Sequence, residues 1–206
     1  MKMVPLDIPK LPSQDAYRLL IGAIVPRPIA WVSTISSQGI TNLAPFRFFN
    51  GVCSNPPAVL FCPVTPADRE AKDTLRNIRE TRQFVVNIVT EANVNQANQT
   101  SAPYPPEVSE FTAVGLTPLP SVVVRPPRVA ESPIQFECEL MQIVQVGEPR
   151  PGSGNIVIGR LVYAHIAEEA WDANRHIAIH KINPVSRLAG NDYAPVHDIF
   201  TLKRPT

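Results

Sequence analysis

Proline punctuates this chain. There are 23 prolines in 206 residues, spread from Pro5 to Pro205, so few stretches can run on as a long helix. A chain cut this way folds as short strands joined by shaped loops. The clearest single pattern agrees. In "PIQFECELMQI", Ile134, Phe136, Cys138 and Leu140 alternate with Gln135, Glu137 and Glu139, the two-residue period of a strand with one face buried and the other in water. "GEPRPGSGN" reads as a turn, and "IVIGRLVYAHI" (156–166), apolar almost throughout, as the partner strand.

The other segments follow the same logic. After an extended arm, "SQDAYRLL" reads as a short helix with Ser13 as its N-cap. "IAWVSTIS" (29–36) is β-rich, and Gly39 in "SQGI" supplies the positive φ of a hairpin turn before the return strand "ITNLAPF". "PAVLFCPV" (57–64) is an apolar run between prolines, the mark of a buried strand, and "QFVVNIVT" (83–90) is another. "KDTLRNIRET" (72–81) places Leu75 and Ile78 at helical spacing. From Glu91 to Pro120 a short polar helix gives way to a proline-rich loop. About seven strands with short helices between them predict one mainly β domain, an antiparallel barrel or sandwich. No G-x-G-x-x-G occurs and strands do not alternate with helices, which disfavours a Rossmann sheet.

The net charge of +1 argues against a nucleic-acid protein, which carries a basic face. No apolar run reaches membrane-span length. The N-terminal "MKMVPLDIPKLPSQD" has no apolar signal region. Cys53, Cys62 and Cys138 are odd in number and match no zinc spacing. The expectation is a cytoplasmic protein with reduced, core-facing thiols.

Two segments place polar groups at element ends. The first is Arg27 to Asn50, where Ser33, Thr34, Asn42 and Arg47 lie around Trp31, Pro45, Phe46 and Phe48. Arg47 interrupts the apolar run Ala44 to Phe49, and an unpaired buried guanidinium costs several kcal/mol, ~3–5. It therefore lies on a solvated loop or meets a negative group. The second is Lys72 to Thr74, opening a predicted helix. A helix N-terminus attracts anions, with Lys72 adding a charge and Thr74 a hydroxyl, although Asp73 reads equally as an ordinary N-cap. Aromatic and proline surfaces suit a planar ring, and Arg, Lys, Thr and Ser suit a phosphate.

"PRPIAWVST", "TNLAPFRFFNGVCSNPPAV", "KDTLRNIRETRQFVVNIV", "FTAVGLTPLPSVVVRPPRVAESPIQFECEL" and "NIVIGRLVYAHI" together resemble the flavin reductase-like family, the FMN-binding split-barrel group that includes the flavoredoxins. The resemblance runs in order from Pro26 to Tyr193. It implies a Greek-key split β-barrel that dimerises and holds FMN near the dimer interface. It implies that Trp31, Val32, Ser33 and Thr34, with the turn Asn42, Ala44, Pro45, Phe46 and Arg47, line the flavin ring and ribityl chain. Lys72, Asp73, Thr74 and Asn77 would lie near the phosphate. The implied activity is oxidoreductase: NADH or NADPH delivers a hydride to flavin N5, and electrons pass to free flavin, oxygen or a partner protein.

The chain departs from the family at two points. Relatives commonly carry a small hydroxyl residue where Arg47 stands, so Arg47 contacts the phosphate, crowds the pocket or faces solvent. Related reductases often place "GDH" before the strand reading "IVIGR". Here Gly154 occupies the histidine position, which keeps a flavin electron carrier without its own nicotinamide site as the alternative. "NPVSRLAGNDY" resembles the family's C-terminal pattern with Ala189 replacing a glycine. Arg187 and Tyr193 there read either as flavin-edge groups or as an interface salt bridge and a packed ring. His176 and His180 have metal-like spacing, but "HIAIH" alternates like a strand and offers no third ligand. His165 and His197 read as structural or exposed. Pro26 and Pro28 aim Arg27 rigidly. Ser33 has no Ser-His-Asp context.

Overall fold

The computed structural model describes residues 1–67 and 71–205. In chain order they form α1 (Ser13–Ala23), β1 (Ala30–Ile35), β2 (Thr41–Phe46), β3 (Phe49–Ser54), β4 (Pro57–Phe61), α2 (Asp73–Thr81), β5 (Gln83–Ile88), α3 (Val94–Gln99), α4 (Glu110–Ala113), β6 (Pro118–Leu119) and β7 (Arg128–Val129). The long hairpin β8 (Ile134–Val146) and β9 (Gly154–Ile166) follows, then α5 (Ile179–Ile182), β10 (Val185–Arg187) and β11 (Tyr193–Pro195). Seven strands build one antiparallel sheet in the order β2-β1-β5-β8-β9-β4-β3.

That order dictates the shape. β2 and β3 are opposite edges of the sheet, yet only Arg47 and Phe48 separate them in sequence. From Phe46 to Phe49 is three Cα steps, at most about 11 Å, so the sheet must curl until its edges meet. Arg47 therefore sits on the seam where the barrel closes. The barrel interior holds Val32, Phe46, Phe61, Phe84, Val86, Cys138 and Val157, closed on one side by Leu75 and Ile78 of α2. Phe46 and Phe84 both pack against the Phe61 ring, at centroid distances of 4.9 and 5.4 Å. Gly159 leaves the space this needs: a Cβ there would lie 2.3 Å from the Phe84 ring.

A second core lies outside the barrel wall, where Trp31, Leu43, Val89, Phe111 and Val129 meet. This outer face carries polar groups that hold the 116–132 segment down. Trp31 Nε1 donates to Thr100 Oγ1 at 2.9 Å. Asn87 donates to the Trp31 carbonyl and accepts from Val129 N–H. Gln135 donates to the Val129 carbonyl.

Several sequence expectations need correction. Ser13 is the first helical residue; Pro12 stands at the N-cap and cannot act through a side chain. β3 escaped the sequence reading because "FNGVCS" does not alternate and is largely exposed. The strand expected over 57–64 stops at Phe61. Gln135 and Glu137, expected on the wet face of β8, are buried at 5% and 0% exposure, because the 116–132 segment covers that face. "HIAIH" is not a strand: Ile177 bridges Trp171, and α5 starts at Ile179. Of the three free thiols, Cys138 is in the core and Cys62 half-buried, but Cys53 is exposed. Gly39 takes the expected positive φ, +90°. Among the described residues no helix is long and apolar enough to cross a membrane.

Candidate functional site

The seam of the barrel opens onto two cavities on either side of Arg47. The larger, about 300 Å³, is lined by Asn42, Ala44, Pro45, Arg47, Lys72, Asp73 and Thr74, with Thr100 to Tyr104 and Glu110 opposite. The smaller, about 200 Å³, shares Pro45, Arg47 and Lys72 and adds Phe46, Phe48 and Arg27. Arg47 is exposed, on the bend after β2.

The polar wall is braced from behind. Asn42 on β2 donates to Thr74 Oγ1 at 2.9 Å, and Asn77 donates to Thr34 Oγ1 on β1 at 3.0 Å. These bonds fix the first two turns of α2 against β1 and β2. Lys72 stands at the N-cap without a side-chain cap bond, and its Nζ lies 5.6 Å from the centroid of the Phe46 ring. Asp73 is the first helical residue, not the N-cap, and pairs with Arg76 at 2.6 Å. The positive end of α2, Lys72 and Arg47 thus face one space, an arrangement that favours an anion.

Residues 22–180 match the model of the flavin reductase like domain. The chain belongs to that family. The split-barrel fold is shared with a split-barrel-domain protein of Shewanella frigidimarina, TM-score 0.83 at 24% identity, covering 96% of each chain. This flavin reductase-like chain is similar over 98% of its length to component B of nitrilotriacetate monooxygenase from Bacillus cereus, at 37% identity and TM-score 0.93, with all of that chain covered. It is also similar to 2-nitrobenzoate 2-nitroreductase of Pseudomonas fluorescens, at 31% identity and TM-score 0.88, covering 98% of this chain and 97% of that one.

Of the residues singled out from sequence, Asn42, Ala44, Pro45, Arg47, Lys72, Asp73 and Thr74 come together on the larger cavity, and Phe46 on the smaller. Asn77 lies behind them, 2% exposed, and borders a separate groove with Ser36 and Glu80. Trp31, Val32, Ser33 and Thr34 are fully buried and line neither cavity. Val32 belongs to the barrel core and Trp31 to the outer core. Ser33 donates to the Pro127 carbonyl, and Thr34 braces Asn77.

Arg187 and Tyr193 pack together: the guanidinium lies 4.3 Å from the ring centroid and donates to the Gly190 carbonyl, while the Tyr193 hydroxyl donates to Asn98. His176 faces Asp172 at 3.5 Å. No group of three or more metal-ligating side chains occurs among the described residues.

Sequence reasoning missed two features. One is Tyr104, whose signal lay in the proline-rich "APYPP" that brings it to the larger cavity. The other is Glu137. Its carboxylate accepts from Val122, Val123 and Val124 N–H at 2.7 to 3.0 Å and bonds His165 Nε2 at 2.7 Å. Burial pushes this carboxyl up, but the backbone donors and the imidazole together outweigh it and hold it below its ordinary value. Arg27 found the target its prolines imply. It donates to the Ile21, Ile24 and Leu188 carbonyls and so caps the end of α1.

Proposed function

We propose that this chain is an FMN-binding oxidoreductase that takes electrons from NADH or NADPH by hydride transfer to flavin N5. The observation that carries the reading is the convergence of Arg47, Lys72 and the positive end of α2 on one cavity of a flavin reductase-like barrel. The donor set fits FMN: two cations and a helix N-terminus for a phosphate, with Ala44, Pro45 and Tyr104 as surfaces for a flat ring. In this role Arg47 grips phosphate oxygens with its fork of N–H donors, and Lys72 adds a point charge. Asn42 holds Thr74 in place, and Pro45 and Tyr104 keep water from the ring. Bound FMN supplies the redox chemistry, accepting a hydride or single electrons. Hydride transfer to the ring requires no general acid from the protein, so positioning and electrostatics are its whole contribution.

One observation favours a second reading, an FMN electron carrier served by another protein. Among the described residues no histidine lines either cavity, and Gly154 opens β9 where related reductases carry one. A homodimer belongs to either reading. α1 buries Ile21 but exposes Tyr17 and Leu20, with exposed Ile24 just past its end, a stripe suited to a second copy. Three unpaired thiols fit a reducing cytoplasmic setting.

The test is anaerobic addition of NADH and then NADPH to the FMN-loaded protein. Prompt loss of flavin absorbance supports the reductase. Bleaching by dithionite alone supports the carrier.

A further inference from the structure

Beside Pro45, Arg47 and Lys72, which the flavin reading uses, the smaller cavity holds groups that it does not, Ile21, Arg27, Phe46, Phe48 and Val64. Its walls are apolar, with Ile21, Pro45, Phe46, Phe48 and Val64. Among the described residues its charged lining is cationic, from Arg27, Arg47 and Lys72. Arg27 is only 4% exposed, and its Nε has no hydrogen-bond partner. The backbones of Arg27 and Arg187 pair through two hydrogen bonds, which brings a third guanidinium close. Among the described residues no carboxylate pairs with Arg27, Arg47 or Arg187. Burial, Arg47 and Arg187 push the Arg27 guanidinium down from its ordinary value, with Tyr17 opposing. Like charges gathered against apolar walls are stabilised by a bound anion.

The size suits a small anion. A dry cavity of about 150 Å³ takes a benzene ring, and this one is about 200 Å³. It has room for one ring and a small substituent. Bare phosphate is strongly hydrated and gains nothing from Phe46, Phe48 or Val64, whereas an aromatic acid gains from both kinds of wall.

We propose that the smaller cavity is a binding site for a small planar aromatic carboxylate, its ring between Phe46, Phe48 and Val64 and its carboxylate facing Arg27. The proposal takes the larger cavity as the flavin's and rests on that reading. Because the two cavities share Pro45 and Arg47, the acid sits beside the cofactor, in position for a substrate.

The test is calorimetric titration of the FMN-loaded protein with benzoate, benzamide and inorganic phosphate. Alkylation of Cys62, a half-buried thiol lining the cavity, is followed alongside, with exposed Cys53 as the internal reference. Benzoate is expected to bind one per chain and to slow alkylation of Cys62 but not of Cys53. Benzamide is expected to bind about tenfold or more weakly, having lost the charge-assisted bonds. Arg27→Gln is expected to lose this preference. Since Arg27 also caps α1, Val64→Phe provides a variant that fills the cavity instead; it is expected to abolish benzoate binding and leave FMN affinity unchanged. Equal affinity for benzoate and benzamide overturns the proposal, as does protection of Cys62 by phosphate or NADH but not by benzoate. Failure of the flavin reading shows separately, as absence of FMN binding; benzoate is therefore also titrated into the flavin-free protein, where the cavity is already present.

Discussion

Glu137 is the residue whose replacement most directly tests how the outer face is held. Its fully buried carboxylate receives four hydrogen bonds: three from consecutive backbone N–H groups of 122–124 and one from His165. Removing one side of a buried charged array costs about 3–5 kcal/mol. Val122 and Val123 are exposed, so water can re-satisfy part of the loss, which places Glu137→Ala near the lower end, about 3 kcal/mol. Glu137→Gln keeps an acceptor oxygen but turns an NH₂ toward N–H donors, and should cost about 1–3 kcal/mol. The folded carboxyl sits below its ordinary value. Its contribution is therefore complete above the unfolded carboxylate range, about pH 4–5, and is lost as pH falls through the lower folded value. Guanidinium denaturation at pH 7 and at successively lower pH measures both effects, and hydrogen exchange reads the 122–124 amides. Wild type and Glu137→Gln should converge in stability as the pH drops, and the variant's 122–124 amides should exchange faster at pH 7. If both variants cost under about 0.5 kcal/mol and the amides are unchanged, the carboxylate is not what fastens this segment.

Gly159→Ala should lower stability by about 1–3 kcal/mol, because its Cβ would meet the Phe84 ring at 2.3 Å inside the barrel; a melting curve checks this. Trp31→Phe removes the bond to Thr100 at 2.9 Å and leaves a gap in the outer core, for about 2–3 kcal/mol, measured by the denaturation midpoint. Sedimentation should find a dimer, and a charge on the α1 stripe, such as Leu20→Glu, should shift it toward monomer.

The sequence announced the barrel through period and punctuation. Alternation marked β8, apolar runs marked β4, β5 and β9, and Gly39 marked the first turn. It could not announce β3, where neither alternation nor burial leaves a signal in "FNGVCS". The dry face of β8 is buried as its period implies, but its expected wet face is buried too, for a physical reason. Period-two patterning assumes one covered face, whereas here the second face is covered by the 116–132 segment, with Gln135 and Glu137 satisfied by its backbone. The candidate site divides in the same way. Arg47 was visible as a charge in an apolar run, and Lys72 and Thr74 as the start of a helix. Their convergence depends on the curl of the sheet, a non-local fact. Trp31 to Thr34 were named as ring-lining by resemblance, but in this chain they lie behind the wall, where Thr34 braces α2 through Asn77.

Fluorescence titration with FMN and riboflavin, on wild type and Arg47→Ala, decides whether the seam cavity holds FMN by its phosphate. Wild type should bind FMN at least about tenfold more tightly than riboflavin, and Arg47→Ala should weaken FMN binding while leaving riboflavin binding nearly unchanged. Equal affinity for the two flavins, or equal losses for both in the variant, would contradict that hold on the phosphate.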